Sequence, residues 1–158
     1  MKYISVSFFV FLQVICLFAI TGCQENNNNN DPTEEIKMSV TDYEPNRDYE
    51  LINLNHNELH VIRSAEELKN YIDIAGESLP EPDFSKYSLL VVRGRVHQGV
   101  HDIVNELIQR KNNDYLFTTH VYLNLTMVAE EWKVVVLVPA IPAGANIEWT
   151  LDVNVPGS

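Results

Sequence analysis

Two stretches in the C-terminal half have a period of two, and in the second the alternation of apolar and polar residues is clean. Tyr115, Phe117, Thr119, Val121 and Leu123 alternate with Leu116, Thr118, His120, Tyr122 and Asn124. Ile147, Trp149, Leu151, Val153 and Val155 alternate with Glu148, Thr150, Asp152 and Asn154. A helix cannot place every second residue on one face, whereas a half-buried strand must. Ser88 to Val92 and Trp132 to Val138 carry apolar residues on both parities, as expected of central strands covered on both sides. Several such runs separated by turn residues predict a mainly β domain, an antiparallel, sandwich-like fold.

One helix interrupts this pattern, giving a β-rich α+β class. Ser64-Ala65-Glu66-Glu67 has capping-box spacing, Leu68 and Ile72 lie four apart, and Gly76 offers a stop. Tyr49 to Leu54 and Leu59 to Ile62 flank the turn-rich Asn53-Leu54-Asn55-His56-Asn57, a plausible hairpin. Asp102 to Gln109 fits either helical spacing or a strand paired with Tyr115 to Leu123 across Lys111 to Asp114. The density of neighbouring strands favours the strand.

The N-terminus carries a different signal. Lys2 precedes an apolar run from Ile4 to Ile20, then Thr21-Gly22-Cys23. This predicts a bacterial lipoprotein signal peptide over residues 1–22, cleaved before a lipid-modified Cys23. Several acyl chains anchor stably where one is marginal. Gln24, in place of aspartate, leans toward the outer membrane, and the expected location is the cell envelope. Residues 23–45, with the run Asn26 to Asn30, read as a lipidated start and flexible tether, since little in them can be buried. Residues 46–158 then form a single globular domain.

Composition narrows the possible chemistry. Cys16 leaves with the signal and Cys23 is modified, so the domain has no thiol for a disulfide, a nucleophile or a metal. Without Lys2, 10 basic residues face 22 acidic ones, a net charge of −12. That excludes the basic footprint of a nucleic-acid binder. His56 and His60, and His97 and His101, have H-x-x-x-H spacing, but neither pair lies on an expected helix. On a strand, four residues span roughly 13 Å, too far for one ion. We expect no metal and no cofactor. Nucleophile elbows, phosphate loops and dinucleotide fingerprints are absent from the sequence. Glu130 and Glu131 are neighbours that a strand would point to opposite faces.

Asp83-Phe84-Ser85-Lys86-Tyr87, leading into Ser88 to Gly94, resembles the "D-F-S-K" lead-in and strand of protease-complex lipoproteins of the PrcB type. Gln98-Gly99-Val100-His101-Asp102-Ile103 stands where that family has "T-G-G-Y-x-I", with Val100 and His101 replacing a glycine and an aromatic. Val134 to Pro139 resembles its last strand. The resemblance spans about half the chain and implies a β-rich accessory domain that binds another protein, with no catalytic residue. The expected function is therefore a non-catalytic protein-interaction domain on a lipid anchor. Its contacts would be exposed edge strands or, preferred, the Gly94 to Asp102 loop, where Arg93, Arg95, His97 and His101 gather positive character on an acidic protein. The alternative is a small-ligand or glycan-binding lipoprotein using Tyr122 or Trp132. A metal-dependent enzyme using His97 and His101 is weaker still.

Overall fold

The computed structural model describes residues 35–45, 48–74 and 79–155. The domain is mostly β with one short helix. Ten strands are found among the described residues: β1 (Ile36–Met38), β2 (Thr41–Asp42), β3 (Glu50–Leu51), β4 (His60–Ile62), β5 (Ile72–Asp73), β6 (Tyr87–Val96), β7 (Val100–Gln109), β8 (Asp114–Leu123), β9 (Glu130–Pro139) and β10 (Asn146–Asn154), with helix α1 (Ala65–Tyr71) before β5. They form one sheet in the order β1-β7-β8-β10, a second in the order β2-β9-β6-β4, and a small β3-β5 pair.

The two four-stranded sheets pack face to face. Between them lie Leu90 and Val92 from β6, Phe117 and Val121 from β8, and Val136 and Val138 from β9, all fully or almost fully buried. Alternation in β8 sends Tyr115, Phe117, Thr119, Val121 and Leu123 inward as expected. β6 and β9 are buried on both faces for a second reason. Leu89, Val91 and Val135 point the other way, into a core roofed by α1 and the β3-β5 pair through Leu68, Ile72 and Leu51. Each such buried aliphatic side chain contributes about 1.5–3 kcal/mol.

Asp102–Gln109 is a strand, the hairpin partner of β8, with a single 3-10 turn at Lys111–Asn113 between them. Asn113 takes the positive φ of 62° that the turn demands. β10 is the exception to antiparallel pairing. It runs parallel to β8 through nine residue pairs from Asn146↔Asp114 to Asn154↔Tyr122. Parallel neighbours need a long crossover, and here β9, a strand of the opposite sheet, supplies it.

Residues 36–42 of the expected tether belong to the fold. β1 pairs with the end of β7 and β2 with the middle of β9, and Met38 and Val40 pack on the inter-sheet core. Strands of three and two residues are too short to show a period. Residues 49–54 and 59–62 do not pair with each other: β3 pairs with β5, and β4 with β6. The asparagines between them still make the turns, with positive φ at Asn53 and Asn57.

Ser64 caps α1 by accepting from the amide of Glu67 at 3.1 Å, while the Glu67 carboxylate reaches back to the amide of Arg63 at 2.6 Å. The helix ends at Tyr71, where Ile72 turns extended to pair with Leu51. Gly76, the expected stop, lies outside the described residues. The D-F-S-K lead-in makes a capped turn into β6. The Asp83 carboxylate accepts from Ser85, and Lys86 sits 2.7 Å from it.

Those bonds, that to Lys86 foremost, hold the Asp83 carboxyl at about 2, below its ordinary 3.8. A folded value below the unfolded one stabilises the fold above the unfolded value, and that contribution is lost as pH falls toward the folded one. A carboxyl NMR titration is expected to place the Asp83 midpoint near 2. Lys86→Met is expected to move it up toward the ordinary range. An unchanged midpoint in that variant would mean that Lys86 is not the cause.

Candidate functional site

β6, β8 and β10 all run toward one end of the sandwich, where β7 and β9 begin. Two loops meet there, His97–Gly99 and Asn124–Ala129. They are tied together along their length. The Gly99 amide donates to Thr126 O at 2.9 Å, and the Asn124 amide donates to Gly99 O at 2.8 Å. The Val100 amide donates to the Glu130 carboxylate at 2.8 Å, and the Thr126 amide to Asn124 Oδ1 at 2.8 Å. The Asn124 carboxamide lies against Gly99, where a Cβ would come within 2.6 Å of it. The Asn124-Leu125-Thr126 turn is thus a structural brace.

On this braced loop stand Leu125, Met127 and Val128, exposed by 79%, 81% and 64%. Tyr122 and Val153, at the ends of β8 and β10, are exposed apolar residues at the same end. Apolar side chains gathered at one end of a domain mark a contact surface more than scattered ones do. The opposite end holds the first described residues. Ile36 pairs with Gln109, and Arg110 bridges Glu35 at 3.3 Å and Glu148 at 3.2 Å. β7, ten residues long, separates the two ends by about 30 Å.

The four residues expected to make contacts are not equivalent. Arg95 and His97 are exposed at the braced end, and His101 is exposed at the start of β7, where the register shifts between Val100 and Asp102. Arg93 is not free. Its guanidinium donates to Leu51 O at 3.2 Å and also to Leu54 O, clamping β3 and the following turn onto β6. Among the described residues, no group of three or more His, Cys, Asp or Glu side chains is placed to hold a metal ion. Cys23 lies outside the described residues, among which no helix is long and apolar enough to cross a membrane. The apolar loop was missed by the sequence reading. Its signal was Leu125, Met127 and Val128 placed between strand ends rather than within a strand.

Beside Arg93 is a cleft of about 350 Å³ lined by Tyr49, Glu50, Leu51, Arg93, Gly94, Glu131, Trp132 and Lys133. Its cations are already used. Lys133 Nζ lies 3.7 Å over the Tyr49 ring and donates to Tyr49 O at 2.8 Å. Burial, and then the nearby Asp42, Tyr43 and Glu44, push the Tyr49 phenol up, so it stays protonated at neutral pH. Trp132 itself is buried, and its Nε1 has no hydrogen-bond partner among the described residues. Tyr122 stands on the outer face, away from this cleft. Trp149 donates to Thr119 Oγ1 at 3.1 Å, a packing role.

The chain matches no family model, no curated protein and no solved structure.

Proposed function

We propose that this chain is a cell-envelope lipoprotein, anchored through lipid at Cys23 and sorted to the outer membrane, whose domain binds another protein and carries out no chemistry of its own. The observation that carries the reading is the braced loop bearing Leu125, Met127 and Val128. A loop held by hydrogen bonds at both ends presents these side chains at little ordering cost, which favours association. Arg95, His97 and His101 supply polar contacts at its margin. The resemblance to PrcB-type accessory domains supports the same reading.

Photocrosslinkers at position 127 and, as a control at the far end, at Tyr87 test this in intact membranes. A discrete protein adduct from position 127 and none from Tyr87 is expected. With the crosslinker kept at position 127, Leu125→Asp with Val128→Asp should abolish it while changing stability by less than about 0.5 kcal/mol per site. Equal labelling from both positions, or adducts with lipid alone, would overturn the reading. The cleft walled by Tyr49 and Trp132 favours a second reading, a small-ligand or glycan binder. A change in tryptophan fluorescence on adding saccharides would support it.

A further inference from the structure

The sheet edges are unequal. β1, β2 and β4 are strands of two or three residues, whereas β10 runs for nine without a break in register. Among the described residues β10 pairs only with β8, which leaves its other side open. Proteins usually blunt such an edge with proline, charged side chains (lysine above all), a bulge or a covering loop. β10 contains no proline, no lysine and no bulge.

The edge does carry a charge pattern. Glu148 and Asp152 both lie on its outward face, with Thr150 between them. Arg110 is the cation paired with Glu148, and it is shared with Glu35, so that trio stays net negative. Asp152 meets His120 at 3.0 Å and remains more than half exposed. Inward, Ile147, Trp149 and Leu151 seat the strand firmly against the core. The edge is thus rigid, regular and acidic.

We propose that the free edge of β10 takes an extended segment of another protein, carrying lysine or arginine at alternate positions, as a fifth strand of its sheet. Main-chain hydrogen bonds supply such an addition, and alternate side chains give it selectivity. A second copy of this chain fits poorly. The antiparallel register that pairs all nine residues centres on Thr150 and sets Glu148 against Asp152 of the second copy, twice, and directly opposed like charges are destabilising. This site is separate from the apolar loop, and either can fail without the other.

The test uses the full-length lipoprotein in detergent with two ten-residue peptides, one alternating lysine with valine, the other glutamate with valine. Amide hydrogen exchange is read at β10, with β8 as an internal control of folding. The lysine peptide is expected to slow exchange in β10 at least tenfold and the glutamate peptide to leave it unchanged. Glu148→Lys with Asp152→Lys is expected to reverse that preference with β8 protection intact. Protection by both peptides alike, by neither, or by raising the protein concentration alone would overturn the proposal.

Discussion

Gly94→Ala is expected to destabilise the domain by about 2–3 kcal/mol, the range of overpacking in a core that cannot relax. A Cβ at Gly94 would sit 2.4 Å and 2.6 Å from two carbons of the Trp132 indole and 2.8 Å from Asn57 Oδ1. Asn57 is a turn residue with room to move. Trp132 is not: it is the direct cross-strand partner of Gly94 and is 4% exposed. The constraint is therefore space, not backbone conformation. Combining Gly94→Ala with Trp132→Leu should recover part of the loss, so the two changes together cost less than their sum. Residues in contact couple in this way. Thermal melts of the two single variants and the double variant measure it, at about 3–5 °C per kcal/mol for a domain of this size. Strict additivity would mean that the glycine matters for another reason.

The same pair of residues separates what was legible in the sequence from what was not. Trp132 continues the apolar parity of β9, so its burial could be read directly. That Gly94 lies under its ring depends on the β6-β9 register, which no local pattern encodes. β8 and β10 could be recognised as strands, but side-chain alternation is the same in parallel and antiparallel pairs, so their parallel pairing was hidden. β1 and β2 were read as tether because polar residues surround Ile36, Met38 and Val40, and only contact with the two sheets makes them strands. For the candidate site, a turn at His97 was legible, but the expected Gly94 to Asp102 loop is only His97–Gly99, since Gly94–Val96 lies in β6 and Val100–Asp102 in β7. The neighbouring Leu125, Met127 and Val128 look like core residues until the fold leaves them outside.

Arg93 shows the converse error, a charge that looked available and is structural. Arg93→Met is expected to cost about 3–6 kcal/mol, because hydrogen bonds to a charged group are worth about 1.5–3 kcal/mol each and two carbonyls lose their donor together. Leu51 and Leu54, which carry those carbonyls, pack in the outer core, so losing the clamp also loosens that packing. Lysine is no substitute, since one ammonium cannot reproduce a planar fork reaching two acceptors. The damage should be local before it is global. β3 is held by its short ladder to β5 and by the Lys133 contacts of Tyr49, so amides in residues 50–54 and 72–73 should exchange faster while those of β7 and β8 keep their protection. If Arg93→Met instead left stability unchanged and removed the adduct formed from position 127, the guanidinium would be a binding group and the clamp incidental.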